Sequence, residues 1–117
     1  MKILIAEDNA NIRKLIVRLI ESALDDYELI ECSDGEQAVS YNSRLHPDLI
    51  LMDIMMNNLD GISAAKIIHK DSPGTKIIIV SELPEEEFKS ESLKAGAADY
   101  LNKSLLYELP AKIKMLM

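Results

Sequence analysis

Cysteine is nearly absent. Cys32 is alone among 117 residues, so no disulfide can form within the chain and a stapled secreted scaffold is excluded. No apolar run approaches the length of a bilayer span, and the run in MKILIAED is too short for a secretory signal. Positive charge is in deficit. Thirteen Lys and Arg stand against 20 Asp and Glu, a net charge of −7, which disfavours nonspecific binding to nucleic acid or to an anionic membrane. Repeats, low-complexity tracts and linkers are missing, as are a Gly-rich phosphate loop and a GxSxG elbow. His46 and His69 have no metal-ligand spacing with each other or with Cys32. These absences leave a single cytoplasmic domain over 1–117 as the expectation, with Cys32 a small buried hydrophobe.

What is present is alternation. Short apolar runs at Lys2–Ala6, Tyr27–Glu31, Asp48–Asp53, Lys76–Val80 and Asp99–Leu101 read as strands. The first four are rich in Ile, Leu and Val and unbroken, as in parallel strands covered on both faces. Helical patterns lie between them. Ile12, Leu15, Ile16, Leu19 and Ala23 form one stripe, and Ala38, Tyr41 and Leu45 another, in a helix opening at Asp34-Gly35. A third helix is expected over Asp60–Lys70 with Asp60 as its cap. A fourth should start at Pro84, with Glu85, Glu86 and Glu87 at its positive end. Pro110 requires the fifth helix either to start near Leu109 or to kink. Five βα units predict an α/β fold: a flavodoxin-like, doubly wound, five-stranded parallel sheet of order 2-1-3-4-5 with five helices.

In such sheets ligands bind outside the carboxyl ends of the strands, at the point where the strand order reverses. The residues expected there are Glu7 and Asp8 after strand one, Asp53 after strand three, Ser81 after strand four and Lys103 beyond strand five. Singly, each has an ordinary explanation: a helix cap, a loop hydroxyl, a surface amine. Together they place three carboxylates, a hydroxyl and an amine in one crevice. Clustered carboxylates need a cation, and Mg²⁺ takes one or two carboxylates directly while keeping waters for a phosphate. A carboxylate can also act as nucleophile toward phosphorus.

With these residues in view, the sequence resembles the receiver domain of two-component response regulators. ILIAEDN at 3–9, LILMDIMMNNLDG at 49–61, IIIVS at 77–81 and AGAADYLNK at 95–103 carry the resemblance, in order and across essentially the whole chain. It implies that Asp53 is the phosphoacceptor, served by a sensor histidine kinase or a phosphotransfer protein. Glu7, Asp8, Asp53 and the carbonyl of Met55 would hold Mg²⁺. Lys103 and Ser81 would contact the phosphoryl group. Tyr100 would be a switch aromatic; an aromatic simply packed at the edge of a short strand is the other reading, and the position three residues before Lys103 favours the switch. Output would be read on the face of helix four, strand five and helix five. A homodimer formed on phosphorylation, and an output domain outside these residues, stay open. The chain itself is expected to bind neither nucleic acid nor membrane, and not to be a turnover enzyme.

Three residues depart from the family pattern: Ser104 and Asn57 stand where proline is usual, and Glu82 stands where Ala or Gly is usual. Glu82 is therefore expected to modulate phosphorylation. Two other readings compete. A pseudo-receiver would keep the fold as an interaction module without phosphorylation. An aspartate-nucleophile Mg²⁺ phosphatase would need a second Asp two residues after the nucleophile, where this chain has Met55.

Overall fold

A computed structural model describes residues 1–117. The strands are β1 (Lys2–Ala6), β2 (Glu28–Cys32), β3 (Leu49–Met52), β4 (Lys76–Ser81) and β5 (Asp99–Asn102). The α-helices are α1 (Ala10–Ala23), α2 (Gly35–Leu45), α3 (Gly61–Asp71), α4 (Glu85–Lys94) and α5 (Leu109–Leu116), and a 3₁₀ helix over Lys103–Glu108 precedes α5. All strand pairs are parallel and the order is β2-β1-β3-β4-β5, as expected.

The unbroken apolar runs have a direct cause. Successive side chains of a strand point to opposite faces, and both faces here are covered. Leu4, Ile50, Met52, Ile77 and Ile79 join Ala38, Ala64, Ala65 and Ile68 beneath α2 and α3. Ile3, Ile5, Leu49, Leu51, Ile78 and Val80 join Ile16, Ile20, Leu109 and Ile113 beneath α1 and α5. Each Leu, Ile, Val or Met side chain among them, fully buried, contributes roughly 1.5–3 kcal/mol of transfer free energy.

Several boundaries differ from the sequence reading. β2 lies one residue later, ending at Cys32, which is buried. Asp48 and Asp53 flank β3 and do not belong to it, because the ladder to β4 runs only from Leu49 to Met52. Pro84 is the residue before α4, and α5 starts at Leu109 with Pro110 in its first turn, so no kink is needed. On α1 the buried residues are Ile16 and Ile20, whereas Leu15 is exposed. Asp34 and Asp60 cap α2 and α3, accepting from the backbone N–H groups of Gln37 and Ser63 at 2.8 and 2.9 Å.

Gly61 shows why the loop after β3 ends in Asp-Gly. A Cβ built there would lie 1.8 Å from the Asp53 carbonyl oxygen, so only glycine lets α3 start against that backbone. The approach is closed by a hydrogen bond from Gly61 N–H to the Ile54 carbonyl at 2.8 Å.

Candidate functional site

The carboxyl ends of β1, β3, β4 and β5 frame a cavity of about 360 Å³ lined by Glu7, Asp8, Asn9, Asp53, Met55, Ser81, Glu82, Leu83 and Lys103. Every sequence-predicted site residue except Tyr100 is in that lining.

Glu7 and Asp8 follow β1, and neither caps α1. Asn9 does so, its Oδ1 accepting from the N–H groups of Asn11 and Ile12 at 2.9 and 3.1 Å. The two acids are thereby free for other work. Glu7 is buried, its Oε2 accepting the Asn9 N–H at 3.1 Å. Asp8 is exposed at the mouth. Arg13 holds the turn from outside, with Nη1 donating to the Glu7 carbonyl at 2.6 Å and Nε paired with Glu31 at 3.2 Å.

Asp53 leaves β3 tied down by its own backbone, whose N–H donates to the Ala6 carbonyl at 3.0 Å. Its Oδ1 accepts the Ile54 N–H at 2.8 Å and its Oδ2 accepts from Lys103 Nζ at 3.1 Å. Lys103 Nζ also lies 2.7 Å from Glu7 Oε1. That is an ion pair off hydrogen-bond alignment, and Oε1 has no other partner. Ser81 is fully buried, its Oγ accepting the Leu83 N–H at 3.1 Å. Glu82 is exposed on the rim, and Met55 is 65% exposed there.

The electrostatics are unbalanced. Burial raises the Glu7 carboxyl to about 7, with the Asp53 charge adding to the rise and Lys103 and the Asn9 N–H opposing it. Burial alone would lower the Lys103 ammonium, but Glu7 and Asp53 outweigh it and the net direction is up. One oxygen from each of Glu7, Asp8 and Asp53 lies within 4.8 Å of the others. Three carboxylates against one ammonium leave negative charge to be met. An oxygen-only donor set of three converging carboxylates fits a hard divalent cation such as Mg²⁺.

Tyr100 stands behind the β4–α4 loop. Its ring is buried and its hydroxyl donates to the Leu83 carbonyl, with burial raising the phenol above its ordinary range. Three residues escaped the sequence reading. Asn9 was legible, being a cap residue just before a helical pattern. Leu83 and Asn102 were not, because Leu83 acts through its backbone and Asn102 bonds only to backbone groups of other residues.

Comparisons with known proteins point to one family. Residues 3–114 match the model of the response regulator receiver domain. The chemotaxis protein CheY of Thermotoga maritima is 37% identical over 103 residues, covering 87% of this chain and 84% of that protein. The protein-glutamate methylesterase/protein-glutamine glutaminase of the same organism is 39% identical over 105 residues, covering 88% of this chain but only 30% of that protein. A probable transcriptional regulator, ycf27, of Porphyridium aerugineum is 36% identical over 97% of this chain and 46% of its own length. The crystal structure of the response regulator domain of Thermotoga maritima CheB superposes with a TM-score of 0.87 at 34% identity, over 98% of this chain and 94% of that one. The chain belongs to the response regulator receiver domain family.

Proposed function

We propose that this chain is a phosphorylatable signalling module that accepts a phosphoryl group on Asp53 from the phosphohistidine of a sensor kinase or phosphotransfer protein. The observation that carries the reading is the convergence of Asp53 with Glu7, Asp8 and Lys103 at one strand end. An Asp53 carboxylate oxygen forms the new O–P bond while the P–N bond of the donor breaks, and the imidazole leaves with that electron pair. Ile54 N–H holds Oδ1, fixing the rotamer of the nucleophile. Lys103 moves from the carboxylates to the phosphoryl oxygens as charge is transferred. The Ser81 hydroxyl, whose oxygen already accepts from Leu83, keeps its proton to donate to the phosphoryl group.

Glu7, Asp8, Asp53 and the Met55 carbonyl would hold Mg²⁺. When bound, it neutralises charge on the transferring group. Ser81 and Tyr100, both bonded to Leu83, would carry the change to the face of α4, β5 and α5. That face would be read by an output domain outside these residues or by a second copy of the chain. The module would work in the cytoplasm. It would bind neither nucleic acid nor membrane, and would turn over no substrate beyond its own phosphoryl group. Glu82, anionic on the cavity rim, would slow phosphoryl entry.

The test is intact-mass measurement after incubation with Mg²⁺ and acetyl phosphate. A single phosphoryl adduct on the native chain, absent in Asp53→Asn, is the expected result. No adduct, even with a phosphorylated partner kinase, would favour a pseudo-receiver. Sustained release of phosphate from many monoesters would favour a phosphatase, which the exposed Met55 in the acid/base position argues against.

A further inference from the structure

The Lys103 loop carries an arrangement that the proposed chemistry does not use. Asn102 closes β5, and in the sheet register it lies directly opposite Ser81. Its Oδ1 accepts the Ser104 N–H at 2.9 Å and so caps the 3₁₀ helix over Lys103–Glu108. Its Nδ2 donates to the Leu83 carbonyl at 3.1 Å. The orientation of the amide is settled by this pair of partners, one a donor and one an acceptor. The Leu83 carbonyl takes a second donor, the Tyr100 hydroxyl, while the Leu83 N–H is spent on Ser81 Oγ. One side chain therefore ties the residue next to Lys103 to the residue that fixes the Ser81 hydroxyl. The tie depends on Ser104 having an N–H, which a proline at that position would lack.

We propose that Asn102 is a positioning residue that locks the Ser81 loop to the Lys103 loop, so that the two phosphoryl-contacting groups are set relative to each other before the phosphoryl group arrives. The proposal rests on the reading of Asp53 as phosphoacceptor. Asn102 touches neither Asp53 nor the site of the metal ligands. Its effect passes through Leu83 and Ser104.

Two substitutions separate its bonds. Asn102→Asp keeps an oxygen for the Ser104 N–H and loses the donor to Leu83. Asn102→Ala loses both. Losing one neutral hydrogen bond that holds a reacting group is expected to slow adduct formation with acetyl phosphate about 2- to 10-fold. Both variants should be slowed, with cooperative melting retained and Mg²⁺ affinity unchanged. The decisive measurement adds Tyr100→Phe. If the two donors hold one carbonyl jointly, Tyr100→Phe with Asn102→Ala slows the reaction by more than the product of the single effects. A loop that merely packs would give independent effects.

Slowing in Asn102→Asp alone, with Asn102→Ala unaffected, would assign the effect to added charge and overturn the proposal. So would native rates in both variants while the native chain is labelled. Absence of any adduct on the native chain would instead defeat the phosphoacceptor reading, and this proposal with it.

Discussion

The two ends of the sheet are built from the same strands and solve opposite problems. At the amino end, a cavity of about 380 Å³ is lined by His46, Pro47, Asp48, Ser72, Thr75 and Lys76, among others. Several polar groups around it are paired. Asp48 Oδ2 accepts the Lys2 N–H at 2.8 Å, Lys2 Nζ donates to the Leu45 carbonyl at 3.2 Å, and Thr75 Oγ1 donates to the Pro47 carbonyl at 3.2 Å. Asp48 itself is exposed. At the carboxyl end, of similar size, Glu7 and Asp53 are buried and share one lysine. The fold can close a strand end without burying charge, so the buried carboxylates at the other end are not a requirement of the fold and come at a cost to stability.

Removing the shared cation should break the contrast most sharply. Lys103→Met leaves two buried carboxylates without their counter-charge, and is expected to destabilise the metal-free chain by about 3–5 kcal/mol in denaturant titrations. Part of that loss should return on adding Mg²⁺. A loss below about 1 kcal/mol would mean that the carboxyl end is as relaxed as the amino end.

The next effect is on metal binding. The Glu7 carboxyl, ordinarily near 4.5, sits at about 7 in the folded chain. The folded state therefore holds this proton more tightly than the unfolded chain. Its contribution to metal-free stability is complete below about pH 4.5 and is lost as pH rises through about 7. Mg²⁺ must displace the same proton, so its affinity should climb between about pH 6 and 8 and then level off. Calorimetric titrations that give a flat profile would disprove this, and Glu7→Gln should abolish the rise.

Smaller still is Glu82→Ala. Removing one exposed charge near the phosphoryl path changes the barrier by about 0.5–1 kcal/mol, so adduct formation should accelerate about two- to fivefold. Unchanged rates would remove Glu82 from the site. The amino end supplies the control. Asp48→Ala should cost about 0.5–1.5 kcal/mol of stability and leave phosphorylation and Mg²⁺ binding as they were.

The sequence exposed most of this architecture for a physical reason. β1, β3 and β4 are buried on both faces, so they read as apolar runs, and the polar or charged residues that end them mark the crevice. Asp34 and Asp60 announced their helices because a cap must precede a helix. α1 was less legible. Apolar residues surround much of that helix, so periodicity alone could not choose between Leu15, which is exposed, and Ile20, which is buried. The loop contacts were hidden for a different reason. Leu83 joins Ser81, Tyr100 and Asn102 through its N–H and carbonyl, groups that every residue but proline also carries.

The cap on α1 has a consequence for selectivity. Helix starts often serve as anion cradles because their N–H groups are free. Here Asn9 spends two of them within its own chain. Free inorganic phosphate would therefore find those two N–H groups already taken, beside a surplus of carboxylates. On the proposed reading, the crevice would hold phosphate poorly as a guest and take it instead as a covalent substituent. A signal written here would depend on the donor that delivers the group, and not on the phosphate concentration of the surroundings.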